Sequence, residues 1–332
     1  MNWAALLLAD PSPSLRLLTL KNILEVNNKE TEELEHAQAG DPLIGELLRL
    51  QSADGSWRGD IKETAQALLR LGYLELGSDH LEVQKGVNYL FSKKRDDGSW
   101  PLGSYSTDAD GESNYDVMSL QTSIPLRALA ACGYAEDNRS EKAYKWLLDQ
   151  RLPDGSWPTG LAKGNYGYVA GYRKLAHSRW GCRSNTTSAL LCLAYHPQRR
   201  NSEEAQRALD LLISRETREQ QSMGFEVARL VGAERARGFL TYYARFDMAQ
   251  MLDLCWRVGA STEDSRVMDL VDHVKSLQGP YGLWEYSLKP QASRWVTYDI
   301  LRSLRSLKEE TDWTPMEPRT PFQAYSRRRK RY

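Results

Sequence analysis

Carboxylates, guanidiniums and aromatic rings recur in this sequence at spacings that could do chemistry. In SRWVTYDILRSLRSL, Trp295, Asp299 and Arg302 fall at i, i+4 and i+7, one face of a helix, with Val296, Ile300 and Leu304 on the opposite face. A second run places Tyr243, Asp247, Gln250 and Arg257 on one face, and a third places Glu63, Gln66 and Arg70. Paired carboxylates such as Asp247 and Asp299 suit acid and base work, and arginine offers a donor fork for phosphate or carboxylate. Carboxylates stand early in these helices and arginines late, the order that complements the helix dipole, so the same pattern also serves structure.

Two long loops add further candidates. Residues 101–116 (PLGSYSTDADGESNYD) carry Asp108, Asp110, Glu112 and Asp116, where Asp110 and Asp116 are candidate acids and Asp116 could equally cap the helix that follows. Residues 158–185 carry Lys163, Arg173, Lys174, His177, Arg179 and Arg183 among Tyr166, Tyr168, Tyr172 and Trp180. Tyr172, Arg173, Trp180 and Arg183 suit an anionic or ring-bearing ligand, and His177 is the loop's candidate for proton transfer. Loops of this length inside a helical domain are often functional.

The elements that position these residues are repeated. The phrase QSADGSW ends at Trp57, KRDDGSW at Trp100, RLPDGSW at Trp157 and QGPYGLW at Trp284, with a degenerate copy, QQSMGFEV, placing Phe225 where the Trp would stand. Each phrase follows one amphipathic run and precedes another, at a period of roughly 45–65 residues, the signature of a helical-hairpin repeat. The glycine supplies a positive-φ helix end, the aspartate turns the chain, and the tryptophan is expected to clamp neighbouring helices rather than do chemistry.

Composition narrows the classes. The chain has 332 residues with Lys plus Arg equal to Asp plus Glu at 44 each, so no overall field draws it to nucleic acid or membrane. The apolar run at the start ends at Asp10 and Pro11, which argues against a leader or a spanning helix. Cys132, Cys182, Cys192 and Cys255 have no CxxC spacing, and a reduced, cytoplasmic protein is expected.

Helix, then Q-x-x-D-G-S-W, then helix resembles the QW repeat of squalene–hopene cyclases, relatives of the protein prenyltransferase β-subunits. The resemblance covers about residues 40–310 and implies an all-α fold, an α/α toroid of two concentric helical layers. Inner helices are expected near residues 12–26, 62–72, 116–133, 183–196, 243–259 and 293–307. Outer helices are expected near 42–51, 80–94, 138–151, 201–215 and 263–278, with the sixth from 2–9 or 30–39. Residues 1–310 would form one toroid domain, with 1–40 completing the ring, and 311–332 an extended basic tail.

Two motifs of such families are incomplete here. The cyclases' acidic D-x-D-D is approached by Asp108-Ala-Asp110-Gly111, which fails at its last residue. The prenyltransferases' zinc-binding Asp-x-Cys is approached by Asp253-Leu-Cys255, which lies mid-helix without a well-placed His, so no metal is expected and no cofactor is implied. The resemblance therefore implies a cyclase- or prenyltransferase-like enzyme acting on a small, partly polar or prenyl-diphosphate substrate in the toroid cavity. A carbohydrate-active lyase or hydrolase, and a non-catalytic binding toroid, are the alternatives. The ligand is expected at the rim of inner-helix N-termini, against His177, Trp180 and Arg183 with Asp110 and Asp116 opposite, over a floor of Tyr243, Asp247, Trp295 and Asp299.

Overall fold

A computed structural model describes residues 3–101, 117–162, 165–167, 169, 173–214, 223–235, 247–315 and 320. The chain opens with α1 (Trp3–Leu8), α2 (Pro13–Asn22), α3 (Lys29–Gln38), α4 (Pro42–Arg49) and α5 (Ile61–Tyr73). It continues through α6 (Leu81–Ser92), α7 (Ser119–Ala131), α8 (Asn138–Asp149), α9 (Arg183–Ala194) and α10 (Glu203–Ile213). A short α11 (Phe225–Leu230) precedes α12 (Met248–Val258), α13 (Ser265–Ser276) and α14 (Ser293–Ser306). The only strands among the described residues are β1 (Leu161–Ala162) and β2 (Asn165–Tyr166), a two-residue antiparallel pair.

Outer and inner helices alternate along the chain, α1 then α2, α4 then α5, α6 then α7, α8 then α9, α10 then α12, and α13 then α14. The outer helices α6, α8, α10 and α13 pack on the inner helix that precedes them, α5, α7, α9 and α12. Inner helices neighbour one another around a ring, α5 to α7 to α9 to α12 to α14 to α2. The last gap is bridged by Asn22, whose Nδ2 donates to Glu75 beyond α5 and to the Tyr298 hydroxyl on α14. The architecture is an all-α toroid. Both candidates for the sixth outer element form helices. α1 takes the outer place and α3 packs on α2 as an addition.

The repeated phrase shows how sequence makes this ring. In each full copy the tryptophan indole N–H donates to a carbonyl ten residues earlier in the outer helix: Leu47, Leu90, Leu147 and Val274, at 2.7–2.8 Å. The same tryptophan's backbone N–H donates to a threonine in the first turns of the next inner helix: Thr64, Thr122, Thr186 and Thr297. Each phrase thus ties its two helices together at a buried aromatic.

The glycine does a different job. Gly55 (φ +85°) and Gly98 (φ +100°) lie where a Cβ would come 2.4 Å and 2.6 Å from the Lys85 and Lys142 carbonyls of the next outer helix, so only glycine lets successive hairpins close up. Asp54, Asp97 and Asp154 accept from the following serine, and the Gln51 and Gln278 amides hold their loops through glycine carbonyls.

One copy behaves differently. Gly224 has the motif conformation (φ +86°), but it abuts Val296 of inner helix α14 instead of an outer helix. Phe225 therefore does not stand in a tryptophan's place. It starts α11, all of whose residues are buried and which packs on α5, α12 and α14 inside the ring. Expected as a clamp, this segment is a plug in the bore.

At the far end, residues 308–313 run back over the α12–α13 connection: Thr262 N–H donates to the Lys308 carbonyl, and the buried Trp313 indole donates to Asp264. Among the described residues, no helix is long and apolar enough to cross a membrane.

Candidate functional site in the bore

Inner helices of a toroid bury their outward face against the outer ring and turn the other inward. The sequence pattern places polar residues inward, and Trp295, Asp299, Asp247, Gln250 and Asp253 are all buried. Buried charge must be paired, and here it is paired in two clusters.

The first cluster anchors α11. Glu226 receives Arg127 of α7 at 2.7 Å and Arg229 at 2.6 Å, and Arg229 also donates to Gln66 of α5. Burial works against the Glu226 charge, but Arg229 and Arg127 hold its carboxyl below the usual range. Arg70 of α5 donates to the Leu230 carbonyl at the other end of α11. Asp247 caps two helices together: its oxygens accept from the Gly224 and Glu226 N–H groups of α11 and from Ala249 of α12, at 2.7–3.0 Å. Burial raises Asp247 to about 6, against the pull of those backbone N–H groups and with the nearby Glu226 charge adding to the rise.

The second cluster lies toward the C-terminal ends of the inner helices. Arg302 is shared by Asp299 at 2.7 Å and Asp253 at 3.0 Å, and Asp253 also accepts from Arg257 at 2.8 Å. The two carboxylates part company. Burial opposes the Asp253 charge, but Arg257 and Arg302 keep its carboxyl low. Burial raises Asp299 to about 7, beyond what Arg302 offsets, and the Asp253 charge adds to the rise. Asp299 is thus a buried carboxyl whose hold on a proton burial strengthens, one turn from Trp295, whose ring meets Tyr73 at 6.0 Å.

This has a stability consequence. Asp299 binds its proton more tightly folded than unfolded, so its contribution is full below its ordinary value of 3.8 and is lost as pH rises toward about 7. Asp299→Asn, which keeps an oxygen for Arg302, is expected to flatten the decline in melting temperature between pH 4 and 7. Parallel melts of both proteins across that range check it, and equal slopes would show that Asp299 is ionised throughout.

The rim residues are disposed differently. Arg183 is buried at the first turn of α9. His177 is half-buried, with Thr320 at 3.3 Å from its Nε2. Trp180 is 38% exposed, with Tyr166 beside its ring at 6.0 Å and Arg179 over it at 5.1 Å. Arg173 is half-buried in the same loop. Asp110, Asp116, Tyr172 and Tyr243 lie outside the described residues. The bore therefore gathers Asp247, Asp299, Trp295 and Arg302, while His177, Arg173 and Trp180 belong to the loop before α9.

Sequence reasoning did not single out Glu226, Arg127, Arg229 or Tyr73. Arg127 and Glu226 are 99 positions apart, and no local spacing links them. Nor does Asp253 resemble a metal ligand in its setting, since both its oxygens serve guanidiniums and burial pushes the Cys255 thiol up to about 12. Among the described residues, no group of three His, Cys, Asp or Glu side chains could hold a metal ion. Asp247, with both oxygens taken by backbone N–H groups, is poorly disposed to act as a base on a sugar.

Residues 18–175 match the family model described as squalene–hopene cyclase C-terminal domain. The squalene–hopene cyclase of Zymomonas mobilis is 35% identical over 136 residues, covering 36% of this chain and 21% of that protein. Lanosterol synthase erg7A of Aspergillus fumigatus is 28% identical over 126 residues, covering 36% of this chain and 17% of that protein. The match thus spans about a fifth of the length of these curated relatives. Among solved structures, a protein from Actinoplanes aligns over 89% of this chain and 90% of its own, at 16% identity and TM-score 0.43. The type II terpene cyclase MstE from Scytonema aligns over 80% of this chain and 96% of its own, at 12% identity and TM-score 0.32. Residues 18–175 are thus similar to the squalene–hopene cyclase C-terminal domain, and the chain resembles the terpenoid cyclases.

Proposed function

We propose that the chain is a terpenoid-cyclase-like enzyme acting inside the toroid on a small isoprenoid with a polar or diphosphate head. The observation that carries this is Asp299, a buried carboxyl raised to about 7 among Tyr73, Trp295 and Tyr298. A carboxylic acid that holds its proton at neutral pH can give it to an alkene carbon. The carbon–carbon double bond takes the proton, a carbocation forms, and the Asp299 carboxylate left behind is stabilised by Arg302. The faces of neighbouring aromatic rings favour the cation. The cyclised cation loses a proton to water, and Asp299 takes a proton back from solvent, which closes the balance.

The D-x-D-D pattern is incomplete at Asp108-Ala-Asp110-Gly111, and on this reading Asp299 supplies an acid from another helix beside the candidate Asp110. The polar bore suits a substrate with a charged end better than a fully apolar triterpene. A toroid that binds such a ligand without turnover is the second reading, favoured by α11 occupying the bore, because a prenyl chain enters only if α11 moves aside.

Thermal melts with farnesyl diphosphate, geranylgeranyl diphosphate and squalene test both. The diphosphates are expected to stabilise the protein, by about 2.7 kcal/mol at a hundredfold excess over Kd, and squalene is not. Turnover, where present, should fall as pH rises through about 7, as Asp299 loses its proton. No stabilisation and no product from any of the three would remove both readings.

A further inference from the structure

Beneath α11, the bore contains donors without acceptors. Tyr73 Oη on α5, Arg127 Nε on α7, Gln250 Nε2 on α12 and Arg302 Nε on α14 are buried and have no hydrogen-bond partner. Tyr73 is 8% exposed, and Arg127 and Gln250 are 5% exposed. These side chains come from four different inner helices, and each orphaned atom is one that can donate. A buried donor left unpaired costs about 1–3 kcal/mol, so several in one region call for an acceptor-rich occupant.

The residues form one connected wall. The Arg127 guanidinium lies 5.4 Å from the Tyr195 ring, and Arg257 lies 4.3 Å from the same ring. Arg257 reaches Asp253, Asp253 reaches Arg302, and Arg302 lies 5.5 Å from the Tyr298 ring. Tyr73 meets Trp295 of α14 at 6.0 Å, and the charges of Asp299 and Arg302 act on its hydroxyl.

Charge makes the occupant an anion. Among the described residues, the ion pairs of the bore set four guanidiniums, Arg127, Arg229, Arg257 and Arg302, against three carboxyls, Glu226, Asp253 and Asp299. Burial also works against the charge of one of those three, Asp299. Water would satisfy the orphaned donors but would leave the surplus positive charge uncompensated in a buried site.

We propose that the half of the bore beneath α11 binds a small oxyanion of phosphate type, held by Tyr73, Arg127 and Arg302 with Gln250 one turn above. Arg257 also lines an open cleft of about 460 Å³ at the C-terminal ends of α12 and α14, with Arg200, Trp256, Ser306 and Lys308. An anion reaches the wall from that side, the rim opposite the long loops. The site requires no turnover, and its test is separate from that of the proposed reaction.

Isothermal titration of the full chain with inorganic phosphate and pyrophosphate, at fixed ionic strength set with sodium chloride, reads it directly. Wild-type protein is expected to bind pyrophosphate, and Tyr73→Phe to bind it about 5–20-fold more weakly while melting at the same or a higher temperature, since it removes an orphaned buried hydroxyl. Gln250→Met, of similar volume, should weaken binding in the same direction. Geranylgeranyl diphosphate separates the two sources of the group: competition with pyrophosphate identifies the anion as the head of an isoprenoid, and independent binding identifies it as a free oxyanion; both keep the site. No pyrophosphate binding to wild-type protein overturns the proposal. So does an affinity that both variants leave unchanged.

Discussion

Glu226→Ala is expected to remove about 3–5 kcal/mol of stability, because it strips the shared partner from two buried guanidiniums. Arg127 is 6% exposed and Arg229 2% exposed at the side chain, and each meets Glu226 within 2.7 Å. Burial in the bore opposes the Arg127 charge, and the Glu226 charge is the largest influence that sustains it. Remove Glu226 and the bore holds two like charges side by side, with the α11 backbone above them. The chain can relieve this only by releasing α11 and admitting water. Glu226→Gln keeps an acceptor and should lose less. Arg127→Met with Glu226→Leu removes one of the two orphaned guanidiniums but leaves Arg229 buried without its carboxylate, so it should recover only part of the loss. Urea unfolding of the three variants checks the order. Amide exchange at 225–230 should rise most in Glu226→Ala, and protection unchanged there would mean that the pair does not anchor α11.

Trp157→Ala should destabilise the ring by a similar amount, about 3–5 kcal/mol. Trp157 has no exposed surface, and its indole bridges the space between α8 and α9 while donating to the Leu147 carbonyl at 2.7 Å. Alanine leaves a cavity of most of an indole, and the Leu147 carbonyl keeps only its bond from the Gln150 N–H at 3.3 Å. The backbone N–H bond to Thr186 survives, so the loop keeps its turn and the damage is confined to the seam. Trp157→Phe should retain most of the apolar filling and lose the indole bond, at about 1–3 kcal/mol. The urea midpoint should shift without a change in slope if the ring still unfolds as one unit. A loss below 1 kcal/mol for the alanine variant would mean that the tryptophan is not a clamp.

These two expectations mark what was legible in the sequence. The clamp was legible because the phrase repeats: four copies with the same glycine, the same tryptophan and amphipathic runs on either side define helices whose ends fall within a few residues of those found. The threonines that receive the tryptophan N–H groups were harder to see. They follow at separations of 7, 22, 29 and 13 residues, which vary with loop length. The polar inward face was legible from spacing alone, since Trp295, Asp299 and Arg302 do share the bore. The partners were not legible, because Asp253 and Glu226 come from other helices and only closure of the ring brings them in.

The plug shows a different limit. QQSMGFEV resembles a worn copy of the phrase, and locally it is one, down to the left-handed glycine. What sends α11 inward is Asp247, twenty-one positions beyond Glu226, which accepts the first N–H groups of α11 and of α12 with one carboxylate. No window short enough to reveal a repeat contains both ends of that contact. The rim candidates Asp110, Asp116 and Tyr172, and Tyr243 of the floor, fall outside the described residues.

The central claim, that a proton held on Asp299 starts chemistry in the bore, is open to one direct measurement. Wild-type protein and Asp299→Asn are incubated in deuterium oxide near pH 6 with farnesyl and geranylgeranyl diphosphate, and the products are analysed by mass spectrometry. The account predicts a cyclised product from the wild type that carries deuterium at the protonated carbon, and none from Asp299→Asn, although that variant remains folded and still binds pyrophosphate. Product of equal amount and equal labelling from the two proteins would contradict it.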